Sequence, residues 1–136
     1  MVGMLTVSIL FYAQAGLSSI DLYQGKCHYP AELGPKQPSE TRVDCDVAIV
    51  SPSKEPNSVM IQFASKTSGV PIGFAGDVDN SGTLSVRRIY LRPGVPTQAS
   101  RGHCRIFRNG ESVNGISCVG FIGMRAFVAN FRASAP

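Results

Sequence analysis

The chain has 136 residues, of which 43% are hydrophobic and 16% charged, and its formal net charge is +4. That length holds one ordinary domain and not two, and the composition excludes a disordered polymer. Fourteen Gly, nine Pro and no Trp, with short apolar runs between turn residues, point to many turns and short strands.

The N-terminus reads MVGMLTVSILFYAQAGLSS. Met4 to Tyr12 has the composition of a signal-peptide apolar core, and Ala13-Gln14-Ala15 is the small-x-small pattern of a cleavage site. The sequence therefore predicts a signal peptide over residues 1–15 and a single β-domain over 16–136. The basic segment that usually precedes the apolar core is missing, and the competing reading is a buried first element. The run is too short for an ordinary membrane span, and no transmembrane segment is predicted.

The mature chain begins with a strand over DLYQGKCHY, followed by a polar loop, GPKQPSE. Thr41 to Val50 alternates, with Val43, Cys45, Val47 and Ile49 on one face and Asp44 and Asp46 on the other, which predicts one half-buried strand. SVMIQFAS places Val59, Ile61 and Phe63 together, and PIGFAG is a shorter strand. In TLSVRRIYLR the phase slips: Leu84 and Val86 share a face, Ile89 and Leu91 the opposite one, and a β-bulge at Arg87-Arg88 would repair it. GHCRIF, GISCVGFIG and MRAFVANF complete the series, the last with Phe127, Ala129 and Phe131 in register. Turns are predicted at Asn80 to Gly82, Pro93-Gly94, Asn109-Gly110 and Asn114-Gly115. The sum is an all-β fold, an antiparallel β-sandwich or small barrel of about seven to eight short strands. Phe63, Phe74, Phe107, Phe121, Phe127 and Phe131 are candidate core residues.

Four cysteines in a small exported chain read as disulfides. Cys27–Cys45 and Cys104–Cys118 are the expected pairs, because each joins strands that follow one another. Each loop should contribute about 3 kcal/mol by restricting the unfolded chain. A zinc site built on Cys27-His28 and His103-Cys104 is disfavoured. Neighbouring residues on a strand point to opposite faces, and no C-x-x-C spacing exists. No cofactor is predicted.

GDVDNSGTL resembles the front half of a calcium loop. Asp77, Asp79 and Ser81 alternate and Gly82 follows, but Arg88 stands where a bidentate Glu is needed, and the flanks are strands. A hairpin turn is the expected role of this stretch, with Asp77, Asp79 and Ser81 kept as weak metal candidates. Catalytic patterns are sparse. There is no G-x-S-x-G, and both histidines adjoin cysteines assigned to disulfides. Asp44 and Asp46, about 7 Å apart on an extended strand, have the spacing of a glycosidase pair, but a solvated strand face explains them as well. The chain is expected not to be an enzyme. A small hydrolase acting on polysaccharide or peptide is the alternative, and a structural calcium-binding module the second.

Charge is unevenly distributed. Residues 80–136 hold eight Arg, no Lys and a single acid, Glu111, while the first part of the chain is net acidic. Arg favours planar, bidentate contact with carboxylate, phosphate or sulfate. Arg87, Arg88, Arg92, Arg101, Arg105 and Arg108 fall on two strands that can lie side by side, and they are the candidate binding residues. The expected partner is an anionic macromolecule, protein or polysaccharide, met in the periplasm or outside the cell. Nucleic acid is not expected, because no aromatic platform is interleaved with the basic residues. The competing reading pairs the arginines internally with Asp44, Asp46, Asp77 and Asp79. In size and cysteine economy the chain resembles small bacterial envelope β-proteins such as periplasmic inhibitors of lysozymes and proteases, a likeness of general type that no motif sharpens. The expectation is an exported, non-catalytic binding or inhibitor-type module.

Overall fold

Alternating apolar residues become ten strands in a computed structural model, which describes residues 19–53, 57–67, 69 and 71–134. The predicted signal peptide, residues 1–15, lies outside the described residues. The strands are β1 (Asp21–Cys27), β2 (Glu40–Arg42), β3 (Val47–Pro52), β4 (Ser58–Ala64), β5 (Ile72–Val78), β6 (Thr83–Arg92), β7 (Val95–Gln98), β8 (Arg101–Asn109), β9 (Ser112–Ile122) and β10 (Arg125–Ala133). Eight of them, in the order β1-β3-β4-β5-β6-β8-β9-β10, form an antiparallel barrel that closes through β1 on β10. β2 adds to β10 in parallel and β7 adds to β6. Among the described residues no helix is long and apolar enough to cross a membrane.

An eight-stranded barrel is just wide enough for side chains to fill it, and here they do. Ile61, Phe63, Phe74, Ile89 and Ile116 are fully buried, with Leu84, Val86, Phe127, Ala129 and Phe131 around them. Phe63 packs edge-on to Phe74, ring centroids 5.8 Å apart. Four of the six candidate phenylalanines thus line the interior; Phe121 is half-buried on the outside and Phe107 is 46% exposed.

The phase slip in β6 is a bulge. Gly76 pairs with Val86 and Ala75 with Arg88, so Arg87 is the extra residue. Inserting it lets Ile89 rejoin Leu84 and Val86 inside the barrel. A Cβ on Gly76 would stand 1.7 Å from the Ser85 carbonyl oxygen, so only glycine fits opposite the bulge.

Three expectations need correction. Thr41 to Val50 is two strands with a break over residues 43–46. Lys66 N–H donates to both carboxylate oxygens of Asp46 across this break, at 3.3 and 3.2 Å. The phase inverts there, and Ala48 instead of Val47 and Ile49 enters the core. Asn114-Gly115 lies inside β9, not in a turn. Its glycine serves a close approach, since a Cβ would come within 2.8 Å of the Phe131 carbonyl. The short edge strand β7 was not foreseen, because it contains Pro96, which only an edge tolerates.

The barrel closes on a divided edge. β10 pairs with β1 over Phe131–Ala133 and with β2 over Ala126–Val128. Three devices hold this seam. Cys27 is bonded to Cys45, joining the end of β1 to the bend before β3. The Tyr29 hydroxyl donates to the Val43 carbonyl at 2.6 Å and lies 2.9 Å from that of Val128. Burial raises the Tyr29 pKa to about 12, against the opposing pull of nearby hydrogen bonds and Arg42. Arg42 pairs with Glu40, holding that carboxyl below its usual range, and also donates to the Gly34 carbonyl. The second disulfide, Cys104–Cys118, joins directly opposed residues of β8 and β9. Both expected pairings are therefore present, and such bonds persist in oxidising compartments.

Candidate anion-binding face

The C-terminal strands are neighbours in the sheet, so the asymmetry of charge along the sequence becomes an asymmetry in space. β6, β8, β9 and β10 together carry all eight arginines of residues 80–136, and none of them carries Asp or Glu. Cys104, Ile116, Cys118, Ala129 and Phe131 point inward, which turns Arg101, His103, Arg105, Ser117, Asn130 and Arg132 outward. Successive outward residues on β8 stand about 7 Å apart.

The six candidate arginines do not form one patch. β6 leaves β8 after Ser85 and pairs with β7, and Ala99-Ser100 makes the step between β7 and β8. A groove of about 760 Å³ opens at that step, with Arg87, Arg88 and Arg101 on its walls. The bulge is what places two consecutive arginines there. The Arg101 guanidinium carbon stands over the ring of Phe121, its cross-strand partner, 4.1 Å from the ring centroid. A cation over a ring is held there by the ring's quadrupole, which leaves guanidinium donors for a carboxylate or sulfate. Arg88 reaches Ser53 at 3.3 Å. Arg105 lines a second groove farther along β8. Arg92 sits near the β6–β7 turn and Arg108 at the other end of β8, and neither lines these two grooves. Arg108 is near enough to Tyr23 to favour its ionised form, but burial first and then Asp21 keep that hydroxyl above its ordinary range.

Internal pairing accounts for Arg87 among the six. Arg87 meets Asp77 at 3.1 Å, both largely exposed. Among the described residues no carboxylate lies within ion-pair distance of Arg92, Arg101, Arg105 or Arg108.

Asp79 serves its own turn. Its Oδ1 accepts from Ser81 N–H at 2.8 Å, from the Ser81 hydroxyl at 2.6 Å and from Thr83 N–H at 3.0 Å. These bonds, the Ser81 hydroxyl's first, lower its pKa. This is an Asx-type hairpin turn, with Gly82 at positive φ. Asp77 is committed to Arg87, and Ser81 to Asp79 and Thr83. Among the described residues no three His, Cys, Asp or Glu side chains gather as a metal-holding group. His28 and His103 are exposed beside their disulfide-bonded cysteines. Asp44 is exposed and Asp46 holds the Lys66 amide, so nothing in this pair indicates catalysis.

The second groove, about 400 Å³, was not foreseen. The chain leaves β1 beside Asn130, whose side-chain amide donates to the His28 carbonyl at 2.8 Å. A 3-10 turn over Ala31–Leu33 then carries Leu33 over the outer face of β8–β10 before the chain returns as β2. Leu33 lines it together with His103, Arg105 and Phe107 of β8, Val119 of β9 and Val128 of β10. Nothing local in the sequence joins Leu33 to Phe107. The chain matches no protein-family model, no curated protein and no solved structure.

Proposed function

We propose that the chain is an exported, non-catalytic binding module for an anionic macromolecule, a protein or polysaccharide of the cell envelope or the extracellular space. The contact is the outer face of β6, β8, β9 and β10, centred on the groove between Arg87, Arg88 and Arg101. The observation that carries this reading is the gathering of eight arginines on four adjoining strands that hold no carboxylate. A field of one sign steers an oppositely charged partner toward the surface and excludes partners of like sign. The stacked Arg101 adds a preorganised fork to that field. The two disulfides support an oxidising, exported setting.

The test is binding of polyglutamate and of dextran sulfate at about 0.01 M and about 1 M salt, where the screening length falls from roughly 30 Å to roughly 3 Å. The proposal expects saturable binding at low salt that is largely lost at high salt. Affinity unchanged between the two, or no binding to either polymer at low salt, overturns it.

A further inference from the structure

The groove under Leu33 has a different character from the arginine groove beside it. Leu33 and Phe107, 53% and 46% exposed, both line it, together with Val119 and Val128. Exposed apolar side chains usually stand singly; here two converge on a concave site. Its polar groups are mostly committed. Ser117 donates its hydroxyl to Asn130, Asn130 donates to the His28 carbonyl, and the Thr83 hydroxyl accepts from Ser81 at 3.3 Å. The Arg105 guanidinium, opposite Ser117 on one side and Thr83 on the other, has neither an ion pair nor a hydrogen bond among the described residues. The groove therefore offers apolar walls and an uncommitted positive fork, and among the described residues no carboxylate lines it.

We propose that this groove is a binding site for a small monocarboxylate with an apolar body, aliphatic or aromatic. The carboxylate accepts from Arg105, bidentate as the guanidinium fork favours, with His103 one outward position along β8. The body lies against the apolar lining of Leu33, Phe107, Val119 and Val128. A volume of about 400 Å³ is at the small end of ligand pockets, roughly 300 to 1,000 Å³. It has room for roughly ten heavy atoms, on the ~30 Å³ that one water takes in the liquid. A free inorganic anion would leave the apolar walls unused, and a neutral hydrocarbon would bury the guanidinium without an acceptor, which is costly. Both parts of the ligand are thus specified by the residues present.

The experiment is a nuclear magnetic resonance titration of the folded chain with hexanoate and with 3-phenylpropionate, with hexanol and acetate as controls. The acids should saturably shift the Arg105 side-chain, His103 and Val119 signals, and each control should bind at least about tenfold more weakly, the worth of one charged contact or of one buried apolar body. R105Q should lower acid affinity about tenfold, L33S should lower it by a smaller factor, and R101Q should leave it unchanged. Arg105 is exposed and lacks an intramolecular partner among the described residues, so R105Q keeps the fold. Hexanol binding as well as hexanoate, R105Q binding like the parent, or shifts that map away from Leu33 and Phe107 would each overturn the assignment. The polymer reading is unaffected by this outcome, since its groove is walled by Arg87, Arg88 and Arg101.

Discussion

Replacing Gly76 with Ala tests the link between the fold and the arginine face. The added Cβ would meet the Ser85 carbonyl oxygen at 1.7 Å and its carbon at 2.7 Å, whereas ordinary contact begins at 3.4 Å. Both obstructing atoms are backbone, so no rotamer relieves them. β5 and β6 must part by about 1.7 Å at the bulge. Overpacking of this kind costs about 1–3 kcal/mol, and each ladder hydrogen bond lost there adds about 1 kcal/mol. The expected total is about 3 kcal/mol, or a fall of roughly 10 °C in Tm for a chain of this size. Gly110 supplies the control: its φ is +66° and nothing lies within 4 Å of a built Cβ. Ala there should cost only the local strain of that backbone, about 1 kcal/mol. The assay is chemical denaturation of both variants, with amide chemical shifts of Ser85 to Arg88 to locate the change. If Gly76→Ala unfolds within about 0.5 kcal/mol of the parent, the bulge does not need glycine, and the reasoning that places Arg87 and Arg88 together fails.

Other predictions concern the seam and the turn. Removing Cys27–Cys45 as the double Ala variant should cost about 3 kcal/mol for a sequence separation of 18. Hydrogen exchange should then quicken first at Gly25–Cys27 and Phe131–Ala133, and uniform quickening would refute the seam. Tyr29→Phe should cost about 1–2 kcal/mol, read by denaturant midpoint. The folded Tyr29 pKa is raised from 10.0 to about 12, so its neutral form is the one the fold favours. Its contribution is complete below pH 10 and is lost as pH climbs toward 12. The parent should therefore lose more stability than the Phe variant over that window, by about 1 kcal/mol once partial exposure is allowed for. Asp79 has a lowered pKa, so its share of turn stability is present above pH 3.8 and is lost as pH falls through the lower folded value. Asp79→Ala should lower Tm at pH 7, and millimolar calcium should leave the parent Tm unmoved; a rise with calcium would restore the metal reading.

Much of the barrel was readable because its signals are local. Period-two alternation is a property of neighbouring residues, and it marked β4, β9 and β10 and even the slipped phase of β6. Cys104–Cys118 followed from the adjacency of β8 and β9, which are also adjacent in sequence, whereas Cys27–Cys45 joins β1 to the bend before β3 with β2 intervening. What failed was set by distant partners. Thr41 to Val50 alternates without a flaw, yet β1 ends at Cys27 and the chain must bend past it, with the Lys66 amide drawing in Asp46. Asn114-Gly115 has the composition of a turn, but its glycine answers to the Phe131 backbone.

The site divides the same way. Charge asymmetry along the chain identified the arginines, because a run of neighbouring strands inherits the charge of its sequence. Their separation into two grooves was hidden, since it depends on where β6 exchanges β8 for β7. The aromatic support was hidden too: Phe121 lies opposite Arg101 only through the β8–β9 register.

The central claim is that the β6–β8–β9–β10 face, and not net charge, binds an anionic partner. Two variants remove equal charge from different places: R87Q/R101Q on the walls of the arginine groove, and K36Q/K66Q, both exposed and outside those four strands. Polyglutamate affinity at low salt should fall about 30-fold in the first, some 2 kcal/mol for two charged contacts, and by less than about threefold in the second. Equal losses in the two variants would mean that the chain attracts anions by net charge alone, and the face would not be a site.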